Sequence, residues 1–125
     1  MPSTPDPRTF LPLTPLAFQV LLALADAERH GYAIIQEIAE RTAGVIRLRS
    51  GTLYALVQRL IDEALVVESD IRPDPDEDDE RRRYYALTPL GRAVVAAEAR
   101  RLETLVGDAR RKRLLGRASN LRARR

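Results

Sequence analysis

The side chains best suited to chemistry lie in residues 50–65, SGTLYALVQRLIDEAL, and that chemistry is recognition rather than catalysis. Gln58 and Arg59 carry groups that can pair with base edges in a DNA major groove, and Thr52 can contact a base or a phosphate. Little else in the chain could do chemistry. His30 is the single His and there is no Cys, so a metal ligand or general base at that position has no second group to work with. Packing or capping is its plainer role. Asp74, Asp76 and Asp78 are spaced like the start of a calcium loop, but Asp79 stands where the turn glycine belongs and Tyr85 where the closing Glu belongs. No P-loop, G-x-G-x-x-G or Ser/His/Asp set is present, so an enzyme is the weakest reading and neither a metal nor another cofactor is expected.

These residues need a helix to position them. Leu53, Leu56, Val57, Leu60, Ile61 and Ala64 recur with the period of one helical stripe, which faces a core and turns Thr52, Ala55, Gln58, Arg59 and Asp62 outward. Ser50 stands where a side-chain oxygen can cap the first turn. Arg47 and Arg49 lie just before it, where a phosphate would approach a helix N-terminus. Two helices come earlier. Thr14 caps and Pro15 opens the first, which is apolar on nearly every side through residue 25 and needs more cover than so small a core supplies. The second presents Ala33, Ile34, Ile38 and Ala39 inward and stops near Gly44.

After Leu65 the period changes from helical to alternating. Residues 65–71 and 81–87 read as the strands of a hairpin whose connection holds six acids in the seven residues 74–80. Arg81, Arg82 and Arg83 stand at its base. Thr88 and Pro89 then open a long helix in which Val95, Ala99, Leu102, Val106 and Ala109 form a heptad seam, so this helix is expected to pair with another. Leu16 and Val20 of the first helix are candidates for the same interface. The expected organisation is a disordered arm at 1–9, a DNA-binding domain at 10–88, a dimerisation helix at 89–115 and a flexible basic tail at 116–125.

With 125 residues, 45% hydrophobic and 31% charged, the chain has the composition of one ordinary globular domain. Its net charge of +3 hides an asymmetry. Eight of the 21 basic residues and none of the 18 acids fall in residues 110–125, so the body is mildly acidic and nucleic-acid binding has to rest on a local basic cluster. The start, MPSTPDPRTF, lacks the order of a signal peptide, and no apolar run approaches the roughly 20 residues that span a bilayer. No membrane association and a cytoplasmic location are expected.

Three helices followed by a two-stranded hairpin is the order of a winged helix-turn-helix. The fold class expected is mainly α with a small β-hairpin, extended by a long C-terminal dimerisation helix. In that architecture Arg47, Arg49, Gln58, Arg59, Arg81, Arg82 and Arg83 converge on one surface, where phosphate contacts position and base contacts specify. The residues also resemble a known family. HGY at 30–32, GTLY at 51–54 and the RRYY-LT-G pattern ending at Gly91 are similar to the motifs of PadR-type transcriptional regulators, over about residues 13–110. The resemblance implies a homodimeric winged-helix repressor of a palindromic double-stranded DNA operator, with the last helix of one subunit against the first helix of the other. It carries Ser50, Gly51, Thr52 and Tyr54 onto the recognition helix, and Arg82, Arg83 and Tyr84 onto the wing.

Two features depart from that pattern. Members that take aromatic drugs between subunits use a Trp in the last helix, and this chain has none, so multidrug binding is not carried over and any small-molecule inducer stays unassigned. The acidic wing tip is repelled by phosphate, which leaves DNA contact to the arginines at its base. Plainer roles remain open: Tyr54 as a core or dimer tyrosine, the wing arginines as partners of nearby acids, and the whole chain as a winged-helix protein–protein interaction module.

Overall fold

Thr-Pro pairs open two of the helices in the computed structural model, which describes residues 4–69 and 83–116. Thr14 caps α1 (Pro15–Ala23) by accepting the Ala17 N–H at 3.2 Å, and Thr88 caps α4 (Pro89–Arg111) by accepting the Gly91 N–H at 2.9 Å. Between them run β1 (Arg29–His30), α2 (Gly31–Arg41), α3 (Ser50–Asp62), β2 (Val66–Ser69) and β3 (Tyr84–Leu87). The helical stripes read from the sequence meet as expected. Val20 and Leu21 of α1, Ile34 and Ile38 of α2, and Leu53, Val57 and Leu60 of α3 form one buried core, closed on the other side by Leu65, Val66, Tyr85, Val94 and Val95. The result is a winged helix domain with a C-terminal helix.

The wing is a three-stranded antiparallel sheet in the order β1-β3-β2, where the sequence predicts two strands. The extra strand is short. It pairs Arg29 with Tyr85 and His30 with Tyr84, and two residues are too few to show an alternating pattern. His30 then caps α2, its Nδ1 accepting the Ala33 N–H at 3.2 Å, so the lone histidine joins the sheet to the helix.

Three other expectations need correction. Residues 7–9, predicted to be part of a disordered arm, lie in a 3-10 turn (Pro7–Phe10) capped by Asp6, and Phe10 and Leu11 pack on the core. Helix α3 stops at Asp62 and not at Leu65, and Ala64, placed in the apolar stripe, is exposed with φ of 64°. Its end is set by backbone bonds, the Ala64 N–H to the Ile61 carbonyl and the Leu65 N–H to the Leu60 carbonyl, both at 2.9 Å. Lastly, Val20 and Val95 are assigned by sequence to the dimer interface, yet both are packed inside their own protomer.

Helix α4 is fastened to that body at its first turn. The Thr88 hydroxyl donates to the Ala64 carbonyl at 2.6 Å and the Thr88 N–H to the Leu65 carbonyl at 3.1 Å. Gly91 lies so close that a Cβ there would sit 1.9 Å from the Leu65 oxygen. Past Glu98 the helix leaves the body, and Leu105 and Val106 are 49% and 44% exposed. Among the described residues no helix is long and apolar enough to cross a membrane.

Candidate nucleic-acid interface

Ser50 is expected to cap α3, but it is the first residue inside the helix. The capping position falls to Arg49, whose side chain makes no capping bond. The N-termini of α1, α2 and α4 are each closed by a side chain, whereas the first turn of α3 keeps its N–H groups open. Such a turn can receive an anion. Ser50, Gly51 and Thr52 are all exposed there, and no heavy atom would come within 4 Å of a Cβ on Gly51. Packing within the chain gives no reason for this glycine, a weaker helix former than Ala.

Along α3 the polar residues divide between two flanks. Tyr54 and Gln58 face the wing, where they line a cleft of about 300 Å³ with Val57, Ile61, Glu68, Arg83 and Tyr85. Arg83 reaches toward Glu68 at 3.6 Å and stays largely exposed. The Tyr85 hydroxyl is pushed above its ordinary pKa by desolvation, reinforced by Tyr54 and Glu68. Thr52 and Arg59 lie on the opposite flank, facing Thr14 and Leu16 at the start of α1. Both long polar side chains have an acidic neighbour one turn on: Gln58 donates to Asp62 at 3.0 Å and Arg59 lies 4.0 Å from Glu63. Exposed pairs of this kind are weak enough to exchange for a ligand.

The sequence predicts convergence of all these groups on one surface, and the described residues achieve it in part. Arg49, Ser50, Gly51, Thr52, Tyr54, Gln58 and Arg83 share the open end and wing flank of α3. Arg47 turns back over Gly44 and lines a shallow cleft on α2 with Tyr32, Gln36 and Glu40. Arg59 lies across the helix from the wing. Tyr84 packs edge-on against His30, centroids 5.4 Å apart, on the other side of the strand from Tyr85. Arg81, Arg82, the acidic run 74–80 and the tail from 117 lie outside the described residues.

A family profile described as Transcriptional regulator PadR-like family matches residues 20–97. The chain belongs to this family. Among its relatives is the Transcriptional regulator Rv3488 of Mycobacterium tuberculosis, 37% identical over 89 residues that cover 71% of this chain and 77% of that one. A Streptococcus transcriptional regulator of known structure superimposes with a TM-score of 0.64 at 28% identity, covering 78% and 91% of the two chains. The fold is shared as well with Bacillus subtilis PadR, solved in complex with operator DNA, at a TM-score of 0.55 and 20% identity; the match covers 69% of this chain and 47% of that one.

In this PadR-like chain two family motifs meet in space, a contact that sequence reasoning missed. A Cβ on Gly31 of the HGY motif would sit 2.3 Å from the Oη of Tyr54 of the GTLY motif. The tyrosine ring therefore lies on the start of α2, and the glycine is there to admit it. Tyr54 remains 48% exposed, so its plainer role as a core tyrosine is met only in part. Both residues belong to the motifs, but spacing along one helix says nothing about what its flank touches. The described half of α4 beyond Glu98 presents Leu102, Leu105, Val106 and Ala109 at i, i+3, i+4 and i+7. Leu105 belongs to this stripe and was absent from the predicted seam.

Proposed function

We propose that this chain is a homodimeric, sequence-specific DNA-binding repressor of a palindromic operator. The observation that carries this reading is the uncapped first turn of α3, with exposed Ser50, Gly51 and Thr52 and an arginine at the cap position. An uncapped turn with a bare glycine lets a phosphate or base edge approach the backbone closely, as helix N-termini do in anion sites. Tyr54, Gln58 and Arg83 add contacts on the wing side, and Arg59 on the α1 side. Two such helices, joined through Leu102, Val106 and Ala109 of paired α4 rods with Leu16 of α1 alongside, would enter successive major grooves about one duplex turn apart. The PadR of Bacillus subtilis seen with operator DNA shares the fold, which supports this reading.

The test is Gly51→Ala, measured against duplexes selected from a random pool. Ala at an exposed helical site gains about 1 kcal/mol, so the variant should melt slightly higher while binding DNA at least tenfold more weakly. Equal affinity at physiological salt counts against the approach through the first turn. Wild-type affinity should also fall steeply with salt, each neutralised phosphate adding about 0.9 to the log–log slope. A chain that selects no duplex at all is instead a protein-binding winged helix.

A further inference from the structure

Glu98 is the single buried charged residue among those described, 1% exposed, and it sits where α4 leaves the body. Its Oε2 accepts the Leu13 N–H at 2.8 Å, tying α4 to the segment that leads into α1, 85 positions away in the chain. Its other contacts come from Arg101, one turn further along the same helix. Gly91, Val94, Val95 and Glu98 are all buried, at i, i+3, i+4 and i+7 of one face. The Pro7–Phe10 turn and α1 also pack on the helix, and two fastenings along it are the closest. One is the first turn against the Leu65 carbonyl, and the other is Glu98 against Leu13, about 10 Å further along the axis. A rod fixed at one place can pivot, and one fixed at two cannot.

An apolar side chain at 98 would fill the space without fixing a direction, and burying a carboxylate is seldom the more stable choice. What the carboxylate adds is geometry, because its two oxygens are held from two sides. The geometry points to Glu98 as a positioning residue that sets the angle between the α4 rod and the domain carrying α3, and so the separation of the two α3 helices in the dimer. This inference rests on the dimer proposed above. The protruding part of α4 is about 20 Å long, so a tilt of about 10° at the joint displaces its end by about 3.5 Å. That is close to the roughly 3.4 Å rise of one base pair, and it decides whether both α3 helices meet their half-sites.

The chain contains no Cys, so Ala55→Cys on the exposed face of α3 gives one spin-label site per protomer. Dipolar distance measurement on the full-length dimer should give one narrow distribution. Adding Glu98→Leu, which fills the space but removes the acceptor of the Leu13 N–H, should widen or shift it by about 3 Å or more while the chain stays folded and dimeric, and Glu98→Gln, which keeps an oxygen for that N–H, should restore the narrow distribution. If Glu98→Leu does not fold, Glu98→Ala removes the same acceptor and should widen the distribution likewise. An unchanged distribution in a folded, dimeric Glu98→Leu or Glu98→Ala variant overturns the role of Glu98 and leaves the dimer standing. Absence of any inter-label distance in the unsubstituted background removes the dimer, and this inference with it.

Discussion

At the scale of single residues, the side chains that matter most are those whose burial or exposure contradicts their type. Gly31 and Gly51 are both helical glycines, yet one is covered by the Tyr54 ring and the other faces open solvent. Only the first has a packing reason within the chain, and the second is the one the proposed approach of DNA to the first turn of α3 would use. Glu98 is the opposite case, a charge where an apolar side chain is expected. The Arg101 guanidinium, aided by the Leu13 N–H, holds its carboxyl below the ordinary carboxylate pKa even though desolvation opposes this. A carboxyl depressed on folding stabilises the native state fully above the unfolded pKa near 4.5. That contribution disappears as pH falls through the lower, folded value. Glu98→Gln should therefore be less stable than wild type at pH 7, by about 1 to 3 kcal/mol for a charged hydrogen bond. The gap should close as the pH is taken down toward 3. A constant gap across that range means that the carboxylate charge contributes nothing.

At the scale of elements, the joint between α3 and α4 is where the domain is least tolerant of change. Ala64 adopts φ of 64° and its backbone closes α3, while the Leu65 carbonyl beside it receives the Thr88 N–H and leaves no space at Gly91. Ala64→Gly removes the cost of a left-handed alanine, about 1 kcal/mol, and should raise the melting temperature by roughly 3 to 6 °C. Gly91→Ala must push backbone against backbone and should cost about 3 kcal/mol or more. Thermal melts of the two variants should move in opposite directions. The sequence disclosed the helices at this joint but not the joint itself. Periodicity placed Leu53, Val57 and Leu60 on the inner face because one helix suffices to define a stripe. It carried the stripe on to Ala64 because a helix closed by backbone bonds around an alanine leaves no glycine or proline as a signal. The strand at Arg29–His30 was hidden by its length, and Glu98 by its charge, which in a helix ordinarily reads as an outer face. For the site, the outward side of α3 was legible, but its division into a wing flank and an α1 flank depends on tertiary neighbours that no helical wheel contains.

At the scale of the whole molecule, the decisive question is what covers the far half of α4. The heptad seam joined Val95 to Ala99, Leu102, Val106 and Ala109, yet Val95 is spent on the protomer's own core. One sequence period thus serves the domain up to Glu98 and, in the dimer proposed above, a second chain beyond it. In the stripe Leu102, Leu105, Val106 and Ala109 the large side chains Leu105 and Val106 are exposed, and a helix of 23 residues is about 34 Å long. Pairing two such rods would bury the stripe. Val106→Asp should break that pairing without harming the domain, since Val106 is 44% exposed in the protomer and Asp there stays solvated in the monomer. In the dimer the same carboxylate would be buried and unpaired, at a cost of several kcal/mol per copy. Sedimentation equilibrium should show dimer association weakened at least a hundredfold, with a melting temperature that no longer rises with protein concentration. Binding to a single half-site should survive and binding to the full palindrome should fall toward that level, because the second contact is then no longer tethered to the first. If the variant still sediments as a dimer and binds the palindrome as tightly as wild type, the two copies meet through another face, and the wing or the exposed side of α2 becomes the surface to mutate next.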